Sequence, residues 1–551
     1  MNHKKNILKF TAIFIFSFIC INIYSQNDNF FESSKNIEIF TELYKELDLI
    51  YVDEIESGDL IKTAIDEMLS SLDPYTTYIP ETDIEDYRFM TTGQYGGIGA
   101  IISKRGDYVI ITEPYEGFPA EKAGLLAGDK ILEVNGQSAK GKSTEELSEI
   151  LKGQPNTIVN ILIERNGEKI TKSFKREKIT VESVPYYGII DEGIGYIKLR
   201  SFTRGCANDV KTALTSLKSN QQLRGIILDL RGNPGGLLNE SIDIVNLFVE
   251  KGEVIVVTKG KIKDWEKKYT ATNNPIDTKT PLIVLINSNS ASASEIVSGS
   301  IQDLDRGIII GQRSFGKGLV QQTRKLPYNS QLKVTVAKYY IPSGRCIQSL
   351  DYSNKNTDGS VRKIPDSLTS IFYTKNGRKV RDGGGINPDI SVERKVIPEI
   401  TRSLISNRLI FDFATQFRYI NESISSVEKF QITEDIFNDF EEFLSDKEYE
   451  YTTATEEALD LFIEISKEEE VYEQIQHKIL NIENQLRDGK LNDLRENKQN
   501  INEFLANEIV SRYYYQKGRI VEDLKHDMEI LKSVSLLNNL EEYYNKLNFN
   551  E

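Results

Sequence analysis

Three loops carry the residue types from which a hydrolytic site could be assembled. The first, Asp229-Leu230-Arg231-Gly232-Asn233-Pro234-Gly235-Gly236, follows an apolar run. Its two closing glycines free backbone N–H groups to point at one place. The second, Ser290-Ala291-Ser292-Ala293-Ser294-Glu295, lies between an apolar strand and a helix. Ser292 with Glu295 reads as a capping box. A serine at such a turn is also where a nucleophile gains, because the Ala293 N–H and the helix dipole stabilise an oxyanion beside it. The third, Gly311-Gln312-Arg313-Ser314-Phe315-Gly316-Lys317-Gly318, nearly matches the phosphate loop G-x-x-x-x-G-K-[ST]. Gly318 stands where Ser or Thr would hold magnesium, and no acidic strand follows to help, so nucleotide binding is set aside. Taken singly, the first loop is equally a tight turn and the second equally a helix cap.

The choice of base narrows the chemistry. The chain has three histidines, His3 at the extreme N-terminus and His477 and His526 in a charge-rich helical tail, and three cysteines, Cys20, Cys206 and Cys346. That disfavours a Ser-His-Asp hydrolase and a zinc protease, and excludes a disulfide framework and a cysteine zinc site. Lys317 is then the best base for Ser292. A free lysine titrates near 10.4, so burial must bring it to ~7–8, at roughly 3–5 kcal/mol. Gly316 and Gly318 permit close packing, Phe315, Leu319 and Val320 supply apolar neighbours, and no acid lies near Lys317 in sequence. Gln321, four residues on, could accept a hydrogen bond from the amine and orient it without adding charge.

These loops need a scaffold, and 551 residues suffice for about three to four domains. Hydrophobic residues at 39% and charged residues at 27% allow sizeable cores. A net charge of -15 argues against nucleic acid as the main partner. Lys4, Lys5 and Lys9 precede an apolar run from Phe10 to Tyr24 and then polar residues. This reads as a signal peptide over 1–25, implying export to the periplasm or cell envelope. The alternatives are a membrane anchor over 10–24 and, from Cys20, a lipoprotein, against which the bulky Ile19 speaks. Residues 26–85 read as helical. From 86 to 176 short strands and turns dominate. From 177 to 394 strands at Ile194–Leu199, Gly225–Leu230, Glu253–Thr258, Leu282–Ile286 and Gly307–Ile310 alternate with helices at 205–218, 237–250 and 293–304. That is the rhythm of an α/β core with a mostly parallel sheet. Its ligands gather at the C-terminal strand ends, where the three loops lie. Residues 395–551 read as helices packing on each other, with a heptad-like stripe through Leu459, Leu461, Phe462, Ile475, Ile479, Leu480, Ile482 and Leu486. A helical arm for dimerisation or partner docking is the functional alternative.

The order Gly96-Gly97-Ile98-Gly99-Ala100, Pro119-Ala120-Glu121-Lys122-Ala123-Gly124, Asn135-Gly136 and a capping box from Ser143 to Glu146 resembles a PDZ domain of the permuted bacterial type. The N–H groups of Ile98, Gly99 and Ala100 could cradle a C-terminal carboxylate while the strand edge pairs with the peptide.

From about Phe40 to Val392 the chain resembles the C-terminal processing (tail-specific) serine peptidases, which embed a PDZ domain in an α/β protease core. The matching stretches are Leu72 to Tyr75, Tyr95 to Ala100, Leu228 to Leu237, Ser290 to Asp303, Gly316 to Gln321, Ala337 to Gln348 and Gly383 to Ile390. The resemblance implies Ser292 as nucleophile in preference to Ser290 or Ser294, Lys317 as general base and Gln321 as its partner. It also implies an oxyanion hole from Gly235, Gly236 and Ala293, and a supporting acid at Asp303. Cys346 replaces a commonly small polar residue. No metal or cofactor is implied. The expected partners are proteins with exposed or unstructured C-termini, a second copy through the helical segments, and an adaptor protein. The rival from another class is a non-catalytic peptide-binding scaffold. The tail after Val396 lies beyond the shared core, and Cys206 and Cys346 are either paired or two buried thiols.

Overall fold

Side chains that alternate between two apolar layers organise the α/β core. The computed structural model describes residues 30–547 apart from 221, 264–265, 356–360 and 491, so the leader over 1–25 and Cys20 lie outside the described residues. Strands Ile194–Lys198, Gly225–Asp229, Leu282–Ile286, Ile308–Gly311 and Ile390–Ser391 pair in parallel in that order, and Tyr186–Asp191 closes one edge antiparallel. Ile226, Leu228, Val284, Ile286 and Ile309 share one core with residues of helices Cys206–Asn220, Leu238–Asn246 and Ala293–Asp303. Ile227, Ile283, Leu285, Ile308 and Ile310 share another with Ile530, Leu536, Leu537, Tyr543 and Leu547. Burial on both faces is why these strands read as unbroken apolar runs.

Helices Met528–Asn538 and Leu540–Leu547, within the helical extension expected over 395–551, cover the sheet. The Tyr543 hydroxyl accepts the Leu282 N–H at 2.9 Å and donates to its carbonyl at 3.0 Å. The strand expected at Glu253–Thr258 changes place. As Val254–Gly260 it joins an antiparallel sheet with Lys267–Thr270 and Gln331–Tyr340, and Leu319–Lys325 pairs with the last of these. Apolar periodicity identifies a strand but not its partner.

The PDZ region forms a sheet in the order Ala100–Arg105, Tyr108–Pro114, Lys130–Val134, Ile158–Arg165, Glu168–Lys175 around buried Val109, Ile111, Ile131, Leu147, Val159 and Ile161. Ser143 and Glu146 make both arms of their capping box, at 3.1 and 2.7 Å. The described residues up to Tyr78 form a separate unit with a helix over 30–50 and another at Ser57–Ser70. After them Asp73 accepts the N–H groups of Tyr75 and Thr76, each at 2.8 Å. Helices Glu399–Ser406, Leu409–Ile420, Glu434–Leu444 and Lys498–Leu524 enclose a third core of Leu404, Phe413, Phe437, Phe440, Leu505 and Ile509. Beyond it, helices Ala454–Glu468 and Tyr472–Lys490 leave Leu461, Phe462, Leu480 and Ile482 exposed. No helix among the described residues is long and apolar enough to cross a membrane. Cys206 and Cys346 are both free thiols.

Candidate active site

Ser292 stands at the N-terminus of helix Ala293–Asp303 with φ 54° and ψ -110°. A non-glycine residue there is strained, and such strain persists only where the surroundings over-determine it. The surroundings are visible on both sides. Ser290 Oγ donates to the Leu230 carbonyl at 2.8 Å and Ser294 Oγ to the Asn233 carbonyl at 2.9 Å, both fully buried. The Ala291 N–H adds a bond to the Asn233 carbonyl at 3.1 Å. The serine loop is thus stitched to the glycine loop by the two serines flanking Ser292. Their hydroxyls are committed, whereas Ser292 is only partly buried.

The glycine loop approaches Ser292 as closely as backbone can. Gly235 has φ 98°, and a Cβ there would lie 2.9 Å from the Ala293 nitrogen and 3.0 Å from Ser292 Cβ. Gly236 has φ 146°, and a Cβ there would lie 2.4 Å from the Phe202 carbonyl oxygen. One expected donor differs. The Gly235 N–H is committed to Asn233 Oδ1 at 2.9 Å, because Asn233 folds its side chain back two residues on. Among the described residues, the N–H groups of Gly236 and Ala293 donate to no protein acceptor, as suits an oxyanion site.

The third loop is held by a residue whose local sequence spells only a helix cap. Glu295 is fully buried, and its carboxylate accepts four hydrogen bonds: the Ser292 N–H at 2.8 Å, the Lys317 N–H at 2.8 Å, the Gly316 N–H at 2.7 Å and Ser314 Oγ at 2.6 Å. The capping box is its first arm, and the others reach across to the lysine loop. This also explains the near-match to a phosphate loop: the amides of Gly316 and Lys317 cradle an anion, but it is the chain's own carboxylate. Buried Tyr339 adds a second clasp, its hydroxyl donating to the Lys317 carbonyl at 2.6 Å and lying 3.1 Å from the Ser292 carbonyl.

Lys317 is half-buried between two glycines that the packing requires. A Cβ on Gly316 (φ 89°) would lie 2.5 Å from Ser349 Cβ, and one on Gly318 would lie 2.9 Å from the Gln348 nitrogen. Leu319 is buried and Val320 packs on the core, but Phe315, expected as an apolar neighbour of the lysine, is 46% exposed. The expectation that no acid lies near Lys317 holds only along the chain, since Glu295 binds its backbone. Gln321 Nε2 donates to Thr335 Oγ1 at 3.2 Å, from the residue paired opposite it. Asp303 lies at the far end of the helix from Ser292, roughly 16 Å along its axis. There it pairs with buried Arg345 at 2.8 Å and accepts the Ser343 N–H at 2.9 Å. Its place is structural.

Burial pushes Glu295 up from 4.5 to about 7, against the four hydrogen bonds that lower it. All four neighbours donate, so the ionised form fits the site, and protonation leaves one donor facing a hydroxyl. Activity is therefore expected to fall as pH drops through about 7. Because the folded state binds the extra proton between 4.5 and about 7, this group's contribution to stability runs the other way and declines as pH rises through that window. Glu295→Gln places an amide NH₂ against donors, and kcat is expected to fall about a hundredfold with KM little changed. Steady-state kinetics beside a melting curve check this, and full kcat in the variant contradicts the clasp.

In the PDZ region Ile98 and Gly99 follow strand Gln94–Gly97, and Ala100 opens the next. The carbonyls of Ile98 and Gly99 accept from Ala120 at 2.8 Å and Tyr115 at 2.9 Å, while among the described residues their N–H groups donate to no protein acceptor. Gly99 has φ 75°, and a Cβ there would lie 2.6 Å from Phe118 Cβ.

A parallel-sheet core that brings a strained serine beside a lysine loop, joined to a PDZ domain, is the architecture of a serine-type peptidase. Comparison with known proteins specifies which. Residues 193–354 match the model for peptidase family S41, 110–165 a PDZ domain, and 400–537 the model described as "Probable PDZ-protease, C-terminal helical domain". The carboxy-terminal-processing protease of Bartonella bacilliformis is 37% identical over 321 residues, which cover 57% of this chain and 73% of that protein. A "Probable CtpA-like serine protease" of Staphylococcus aureus is 37% identical over 316 residues, covering 57% of this chain and 62% of that protein. The solved photosystem II D1 C-terminal processing protease is 28% identical with a TM-score of 0.36, covering 65% of this chain and 93% of that one. The chain belongs to the carboxy-terminal-processing proteases of peptidase family S41.

Proposed function

We propose that the protein is an exported endopeptidase that captures C-terminal or unstructured tails through its PDZ domain and cleaves them by Ser-Lys acyl-enzyme chemistry. Ser292 attacks the scissile carbonyl, and neutral Lys317 takes its proton and returns it to the leaving amine. Water completes the cycle. Gly236 and Ala293 N–H groups receive the oxyanion, and Gln321 orients the lysine. The observation that carries this reading is the clasp: Glu295 binds the backbones of Ser292 and Lys317 together at 2.8 Å each. A vestigial core in a binding scaffold has no need of that geometry. Export rests on the basic, apolar and polar order of residues 1–25.

Tail capture is tested with the purified chain and paired peptides, one ending in a free carboxylate and one amidated. Hydrogen bonds to a charged group contribute about 1.5–3 kcal/mol, so amidation is expected to weaken binding by about tenfold or more in calorimetry. Gly99→Val is expected to do the same, since any side chain there is strained and meets Phe118. Equal affinities for the two peptides refute the role of Ile98, Gly99 and Ala100. Failure to cut an unfolded test protein refutes the peptidase reading and favours the scaffold.

A further inference from the structure

Two of the three site loops are gripped by a single helix start from far along the chain. Arg231 lies four residues before Gly235, and Gln312 five before Lys317. Arg231 Nη1 reaches Asp527 Oδ2 at 2.6 Å and Glu529 Oε2 at 3.3 Å. Gln312 Nε2 donates to the other oxygen of Glu529 at 3.1 Å. One carboxylate therefore touches both loops. Asp527 is also the N-cap of helix Met528–Asn538, its Oδ1 accepting the Ile530 N–H at 3.0 Å. Ile530, Leu536 and Leu537 of that helix are packed into the sheet core, so packing fixes where the two carboxylates stand.

The charges explain why partners are needed. Asp229, fully buried beneath the glycine loop, accepts from Tyr196 at 2.7 Å, Lys198 at 3.0 Å and Arg231 at 2.7 Å. Burial alone would raise its pKa, but Arg231 and Lys198 hold it below the usual carboxylate range. Two cations face one carboxylate there, and Arg231 is 14% exposed. Asp527 adds a second carboxylate against these two cations and Glu529 a third, so neutralising both leaves the two cations facing Asp229 alone.

We propose that Asp527 and Glu529 are positioning residues for the peptidase site, fixing the Gly235–Gly236 loop through Arg231 and the Lys317 loop through Gln312. The inference rests on the peptidase reading above. It makes the end of the helical domain a working part of the site rather than an appendage.

The test uses the full chain and a short quenched peptide. Asp527→Asn keeps a capping oxygen but loses the charge facing Arg231, and Glu529→Gln keeps one acceptor, so the helix is retained while the grip weakens. The double variant is expected to lose about ten- to a hundredfold in kcat, with KM within about threefold and a melting temperature lowered by the two lost charges but still well above the assay temperature. Glu529→Ala is expected to lose more than Glu529→Gln. Wild-type kcat in the double variant overturns the proposal, as does a loss that only tracks the unfolded fraction, which Glu529→Gln alone would show if the double variant folds poorly. A wild-type chain that cuts nothing overturns the peptidase reading and this inference with it, whereas an active wild type with an equally active variant overturns this inference alone.

Discussion

Ser292→Ala is expected to lower peptide cleavage by about 10⁴-fold or more while leaving the fold intact, because a nucleophile removed from a site that works as a unit takes nearly all covalent catalysis with it. Ser290→Ala and Ser294→Ala serve as opposite controls. Their hydroxyls donate to the Leu230 and Asn233 carbonyls inside the core. Deleting either leaves a buried carbonyl short of a donor and is expected to cost stability, about 1–3 kcal/mol, with measurable turnover retained. The pattern is diagnostic: activity lost without stability at 292, stability lost with activity kept at 290 and 294. Turnover in a well-folded Ser292→Ala chain would end the assignment.

The contrast shows where sequence reading reached and where it stopped. The parallel strands announced themselves as apolar runs because both sheet faces are covered, and the PDZ region through its ordered glycines and its Ser143–Glu146 box. Ser292, Lys317 and Gln321 stood out through loop position and resemblance. Composition gave no reason to prefer Ser292 to its neighbours, whereas the committed hydroxyls of Ser290 and Ser294 supply one. Glu295 hid behind a local motif: an S-x-x-E box is complete three residues away, so nothing in it signals the bonds to Gly316 and Lys317, more than twenty positions on. Tyr339, Thr335, Asp527 and Glu529 were invisible for the same reason. Each acts across strands or between layers, and periodicity reports a residue's own element and not its partner. The last two helices looked like tail because their amphipathic pattern is that of any packed helix. The Gly235 donor differs from expectation because an asparagine two residues before a glycine can take its N–H, a choice that only the folded turn reveals.

Lys317→Arg is expected to be as inactive as Lys317→Ala, each at least about 10³-fold below the parent chain. The two variants ask one question cleanly, because the backbone at 317 is fixed independently of its side chain: the N–H is held by Glu295, the carbonyl by Tyr339, and the flanking glycines by close contacts with Ser349 and Gln348. A change that keeps a long basic side chain yet still abolishes activity points to proton transfer, since guanidinium stays protonated at any working pH and cannot accept the serine's proton. For the same reason kcat/KM of the parent should rise with pH, a base being useful only when deprotonated. Gln321→Ala should cost less. Its Nε2 is tied to Thr335, which leaves Oε1 as the acceptor that the proposed mechanism needs to orient the amine, and it carries no proton. Rates of a quenched peptide across mildly acidic to alkaline pH, run for all four chains, decide the matter. An arginine variant that still cuts, or a parent profile that stays flat, rules out lysine as the base and leaves Ser292 in need of another.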